Sequence, residues 1–264
     1  MKITSIILML LLFAAPSSAR QLKNLEKETN TLGNNVTKLK REFVANGTTL
    51  TTKEYHELAR CEAAFLRKYI TYQTLVFLNK QGTDRNVADL QQMVDVAFQC
   101  SMIFVDLGET SHERFRRILG WAYTETNFKK NLVSSWKKGQ YIKSLNVTIT
   151  YDSTDYGTWQ INDYNDMSLK EELWSLYLSG VINFKIVKVD TVHDLFDIPT
   201  NCAFRCLVEA ERKRLGLNWK QDKSKAYLQF IENKMADIES KGYYDKKLVE
   251  HYYHKEPIKK FVFK

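Results

Sequence analysis

The sequence predicts a mainly α-helical chain with one small β element near its middle. Apolar residues recur by threes and fours in segment after segment of the 264 positions. Strict alternation of the kind a strand needs is confined to residues 146–151, Asn-Val-Thr-Ile-Thr-Tyr. Only 10 Gly and 3 Pro interrupt these patterns, and 44% of the residues are hydrophobic. That composition excludes collagen-like, Pro/Gly-rich and globally disordered chains. Neither G-x-G-x-x-G nor G-x-x-x-x-G-K-[ST] occurs, so a glycine-cradled nucleotide is not expected.

At the amino terminus, Lys2 precedes an apolar run over 3–15, and Ser17, Ser18 and Ala19 form a small-residue cleavage site. The run is too short to cross a bilayer, so residues 1–19 read as a signal peptide and the chain as exported, periplasmic or secreted. Export makes the four cysteines candidates for disulfides. Cys61 and Cys100 lie on two helical patterns that flank a turn near Gly82, so an antiparallel hairpin would bring them opposite each other, and this is the favoured pair. The plainer alternative is four small buried apolar residues. With 39 Lys+Arg against 31 Asp+Glu, the net charge of +8 points to an anionic partner such as a cell-envelope polymer.

Residues 20–52 carry Leu22, Leu25, Thr29, Leu32, Val36, Leu39 and Phe43 in a heptad-like seam interrupted at Gly33-Asn34-Asn35. The segment reads as an amphipathic arm lying on its own domain, with a short coiled coil as the alternative. A helical domain over 53–240 follows. Its helices are expected at 53–80, 86–107, 111–127 (starting at Ser111 without a full capping box), 169–186, 202–215 and 224–240. Between them lie the strand at 146–151 and a polar turn at 152–157. Residues 241–264 form a Tyr- and Lys-rich tail whose last residues, Lys-Phe-Val-Phe-Lys, resemble a strand.

Two carboxyl groups stand out. At 100° per residue, Glu125 falls on the same helical stripe as Ile118 and Ala122, away from Arg114, Arg116 and Arg117. Removing water from a carboxylate disfavours its charge, which is the setting of a general acid. Asp155 lies among Ser153, Thr154, Tyr156 and Gly157, whose donors suit an ionised carboxylate. The bland alternative is a helix-end glutamate and a turn aspartate.

The residues around this pair carry a family resemblance. Trp121-Ala122-Tyr123-Thr124-Glu125-Thr126-Asn127-Phe128 resembles the E-S-x-F catalytic-helix motif of lysozymes and lytic transglycosylases. Ser153 to Asn162, S-T-D-Y-G-T-W-Q-I-N, resembles the D-Y-G-x-x-Q-I-N segment that follows it in the same superfamily. A weaker match is Asn201-Cys202-Ala203 after Ile198-Pro199, similar to a later transglycosylase helix start. The resemblance implies a lysozyme-like fold, with a core over about 85–215 and extra amino-terminal helices. It implies that Glu125 is the general acid and then the base, and that Asp155 stabilises or captures the positively charged sugar. It also implies that Gln160 and Asn162 line the sugar groove, with Trp159 as an aromatic wall or a core residue, and that Thr126 and Asn127 belong to the same substrate-binding set. Glu125 and Asp155 are 30 residues apart, longer than usual, and the insertion over 136–147 carries Lys137, Lys138 and Lys143 on an expected hairpin.

The expected function is therefore cleavage of peptidoglycan glycan strands at the β-1,4 bond between N-acetylmuramic acid and N-acetylglucosamine. A lytic transglycosylase using Glu125 alone is preferred over a lysozyme-type hydrolase using Glu125 and Asp155. A module that grips cell-wall glycan without cutting it is the third possibility. No cofactor, metal or nucleic-acid partner is expected. The H-x-x-H at His251 and His254 lacks a third ligand, and the basic clusters at 114–117 and 212–214 read as solvated helix faces. Oligomeric state is left open.

Overall fold

A computed structural model describes residues 18–45, 50–106, 108–142, 147–216, 224–255 and 259–263. The expected leader falls mostly on residues 1–17, outside the described residues, as do the tip of the expected hairpin at 143–146 and its Lys143. The chain is mainly helical with a small antiparallel sheet, as the apolar periodicity predicts. No helix among the described residues is long and apolar enough to cross a membrane.

Helix α1 (Ser18–Ala45) runs unbroken through Gly33, which packs so closely on Phe65 that an added Cβ would lie 3.1 Å from its ring. Its seam faces the same chain: Leu25, Thr29 and Val36 are buried against α2 (Thr52–Lys80). Lys40 of α1 reaches the buried Glu62 of α2 at 2.6 Å and donates to the Gly242 carbonyl. The arm therefore lies on its own domain, and this face is not open for a coiled-coil partner.

Helix α3 (Val87–Ile103) is buried nearly all round, through Leu90, Met93, Val94, Ala97, Phe98 and Cys100, the pattern of a central helix. Against it pack α2, α4 (Ser111–Thr126) and α6 (Ile198–Arg214). Helix α4 starts at Ser111 as expected, but behind a full capping box, Thr110 with Glu113, where none is expected from the sequence. Helix α5 (Lys170–Leu178) is half the expected length, because the chain turns at Gly180 (φ 71°). Beyond it Ile182, Ile186 and Val189 are buried from an irregular segment whose spacing imitates a helix. Helix α6 starts at Asp197, whose side chain accepts from the Thr200 N–H, with Pro199 in its first turn. Helices α7 (Lys225–Ser240) and α8 (Lys246–Lys255) close over α2 and α4.

Short strand β1 (Phe104–Asp106) pairs in parallel with β7 (Phe261–Phe263), so the tail does end in a strand. The antiparallel sheet is β2 (Val133–Trp136), β5 (Ser153–Tyr156) and β6 (Ile161–Asn162), with β5 central. Strands β3 (Tyr141–Ile142) and β4 (Val147–Thr148) form a separate hairpin in the insertion. Residues 153–156, expected as a turn, are thus a strand. Their partners, Ser134 and Asn162 opposite Asp155, come from elsewhere in the chain and leave no local signature.

The favoured Cys61–Cys100 bridge is not formed. All four cysteines are free, and the Cys100 thiol lies with those of Cys202 and Cys206. Cys61 is half-buried on α2.

Candidate active site

Glu125 occupies the last turn of α4, and Asp155 the middle of β5. Both line one cleft of about 320 Å³, together with Trp136, Tyr151, Gln160, Asn162, Asn165, Arg205 and Arg212. Four residues singled out from the sequence, Glu125, Asp155, Gln160 and Asn162, therefore share a surface.

The carboxylate of Asp155 is held from two sides. Trp136 Nε1 donates to Oδ2 at 2.6 Å, and Asn162 Nδ2 donates to Oδ1 at 2.7 Å. These donors arise from the sheet, since β2 and β6 flank β5. Asn162 is itself fixed: its Oδ1 accepts from the Tyr164 and Asn165 N–H groups, and its own N–H donates to Asp166 Oδ2 at 2.9 Å. Burial pushes the Asp166 carboxyl up from its ordinary range, helped by the neighbouring Asp155 and opposed by the Asn162 N–H, Arg212 and Arg205. Asn162 thus positions Asp155, and its amide is committed to protein partners rather than to sugar. The Gln160 amide likewise donates to the Gly157 and Leu132 carbonyls, at 2.8 and 3.2 Å.

Three further residues expected in the substrate-binding set do not line the cleft. Trp159 is fully buried, and its indole donates to the Ile118 carbonyl at 3.0 Å, so it ties the segment to α4 and is no sugar wall. The Thr126 hydroxyl is buried and shared between the Ala122 and Thr158 carbonyls. Asn127 caps α4 in the left-handed region, and its carbonyl accepts from Arg85. Trp159 and Thr126 fasten α4 to the turn between β5 and β6, and Asn127 fastens the end of α4 to the residue two before α3.

Among the described residues the non-glycine positions with positive φ are Asn127 (54°), Phe128 (61°) and Gln160 (51°). All sit in the two motif segments. Such backbone costs about 1–3 kcal/mol per residue and gathers where a site needs a particular geometry. Asn201 holds the second segment, accepting from the Trp159 N–H at 2.7 Å and donating to the Tyr156 carbonyl at 3.0 Å.

One part of the site went unread in the sequence. Helix α6 presents Arg205, Glu209 and Arg212 on one face. Arg205 is buried, pairs with Glu209 at 2.8 Å and stands 3.8 Å from Glu125 Oε1. Arg212 reaches Glu209 at 3.4 Å and Asp166 at 3.8 Å. Glu125, whose side chain is 20% exposed, therefore sits between the apolar stripe of α4 and a buried cation, a less apolar setting than its helical position implies. The spacing 205/209/212 carried the signal, since residues four and seven apart share a helix face.

Among the described residues, one group of three metal-capable side chains brings its ligand atoms together, and it is Cys100, Cys202 and Cys206, not the cleft carboxylates. No family model matches the chain, and neither does any curated protein or solved structure.

Proposed function

We propose that the chain cleaves the glycan strands of peptidoglycan at the β-1,4 bond between N-acetylmuramic acid and N-acetylglucosamine, acting as an exported enzyme. The observation that carries the reading is the meeting of Glu125 and Asp155 on one cleft, from two motifs 30 residues apart. Glu125 donates its proton to the glycosidic oxygen as the bond from that oxygen to the muramic acid C1 breaks. Positive charge develops on the sugar ring, and the Asp155 carboxylate, fixed by Trp136 and Asn162, offsets it without having to reorganise. Glu125, now a carboxylate, takes a proton from the incoming nucleophile.

In the transglycosylase form that nucleophile is the muramic acid 6-hydroxyl, and the product carries a 1,6-anhydro end. The hydrolytic form uses water. The position of Asp155 on the cleft wall favours keeping this second form in view, since two carboxyl groups are the usual apparatus of hydrolysis.

Purified chain and its Glu125→Gln variant are incubated with peptidoglycan, and the soluble products are read by mass spectrometry. The expected result is release of anhydro-ended muropeptides, with a loss of about 10²–10⁴-fold in the variant. Reducing ends gained with water would assign hydrolysis instead. Equal, negligible release by both proteins, with glycan binding retained, would leave only a glycan-binding module.

A further inference from the structure

Three of the four thiols meet outside the residues that line the cleft. Cys100 sits near the end of α3, and Cys202 and Cys206 lie one turn apart on the facing side of α6. All three are buried, and their sulfur atoms lie within 4.8 Å of one another. A disulfide requires about 2.0 Å between sulfurs, so two of the three must close by at most about 3 Å for a bond to form. Zinc is the other classical occupant of grouped cysteines, but closed structural zinc sites have four ligands. No histidine, aspartate or glutamate among the described residues joins the three sulfurs.

We infer that Cys100 forms a disulfide with the Cys202 and Cys206 pair, cross-linking α3 to α6 and leaving the third thiol able to exchange with the bond. In the folded chain Cys206 is the thiol that takes up negative charge most readily, which suits it to leave in the exchange step. Burial opposes that charge, but hydrogen bonds from Cys100 and Cys202 and the nearby Arg117 guanidinium outweigh it. For Cys100 and Cys202, burial pushes the thiol up. The Cys206 thiolate attacks a disulfide donor, a small-molecule or protein disulfide of an oxidising compartment. A mixed disulfide forms and one donor thiolate leaves. Deprotonated Cys100 then attacks the Cys206 sulfur, the bond to the donor breaks, and the second donor thiolate leaves. The two cysteines lose two electrons and two protons, and the donor disulfide is reduced to two thiols. Because the three sulfurs are buried in the folded chain, this oxidation accompanies folding. Exchange needs no further oxidant: the Cys202 thiolate attacks the Cys100 sulfur and releases Cys206.

Trypsin reads the connectivity directly. Cleavage after Arg60, Arg67, Arg85, Arg114, Arg205 and Arg212 puts the four cysteines on four different peptides. The chain from Arg20 onward is reduced, unfolded, and refolded in mixed oxidised and reduced glutathione. It is then alkylated and digested without reduction, with a parallel refolding in zinc and no oxidant. The expected result is a chain lighter by two hydrogens before alkylation. Its Cys100 peptide is joined to that of Cys202 or Cys206, with the remaining partner and Cys61 alkylated. Cys202→Ala and Cys206→Ala each keep a link to Cys100 through the other cysteine. Four alkylated thiols after oxidative refolding, a Cys61–Cys100 or Cys202–Cys206 link, or thiols protected by one bound zinc per chain would each overturn the inference. None of these outcomes depends on whether the cleft cuts glycan.

Discussion

Gly157 joins β5, which carries Asp155, to the turn that carries Trp159 and Gln160, and among the described glycines it is the one where an added methyl group has least room. Its φ is 78°, and a Cβ there would lie 2.5 Å from the Leu195 carbonyl oxygen and 2.6 Å from Asn201 Nδ2. Two costs follow for Gly157→Ala. Holding an L-residue in the left-handed region costs about 1–2 kcal/mol. Relieving the overlap requires movement of a backbone carbonyl and of a buried asparagine that already makes two hydrogen bonds, which adds about 1–3 kcal/mol. The expected loss is therefore about 2–5 kcal/mol, a large share of the ~5–15 kcal/mol that holds a typical domain together. Gly82→Ala is the matched control, since its φ is 69° and nothing lies within 4 Å of the added atom. It should lose only the backbone cost of about 1–2 kcal/mol. Urea unfolding followed by circular dichroism gives both values. Equal losses in the two variants would refute the close-approach argument, because the contact with Leu195 and Asn201 would then contribute nothing.

Asn201→Ala leaves the Trp159 N–H and the Tyr156 carbonyl without their buried partner. It should cost about 2–4 kcal/mol in the same unfolding assay, with glycan release falling as the turn loosens. Arg205→Met takes the nearer cation from buried Glu209, leaving Arg212 at 3.4 Å, and removes the cation beside Glu125; it should cost about 1.5–3 kcal/mol, most of it recovered in the double variant with Glu209→Gln. His112 is held neutral in the folded chain, its pKa brought down to about 4 by burial, with Lys246 and Arg116 adding to the effect and Glu250 and Glu113 opposing it. The unfolded chain binds a proton near pH 6.5 and the folded chain does not, so stability from this group is complete above pH 6.5. It is lost as the pH falls towards 4, by roughly 3 kcal/mol. His112→Phe should remove that share of the acid-side decline, measured as the difference between unfolding midpoints at pH 7 and pH 5.

The two carboxyl groups were legible for different reasons. Glu125 could be set on the edge of the apolar stripe because a helix repeats a fixed angle per residue, and Ile118 and Ala122 are indeed buried beside it. Asp155 could be singled out, but not its setting. It reads as a turn residue, whereas β2 and β6 make it the centre of a sheet and supply the Trp136 and Asn162 donors. Trp159, Thr126 and Asn127 were legible as members of the right segments; of the two roles open to Trp159 the core one holds, while Thr126 and Asn127 do not line the cleft. A buried hydroxyl or indole and one facing a groove share the same local sequence. The paired arginines of α6 lay in plain spacing, yet nothing local says that the face they share turns towards Glu125.

What the sequence determined by itself is what depends on neighbours along the chain. This covers the helical class, the limits of α2, α4 and α7, the apolar seam of α1 and the order of the two motif segments. Helical periodicity and capping are local, so they survive without the fold. The tertiary structure decided everything that rests on meetings between distant segments. It made 153–156 a strand, carried α1 through Gly33 on the strength of Phe65, and brought the Cys100 thiol to Cys202 and Cys206 and away from Cys61. It also set the buried charge of Arg205 next to Glu125. Those outcomes depend on which faces pack, and a packed face is chosen by the whole core.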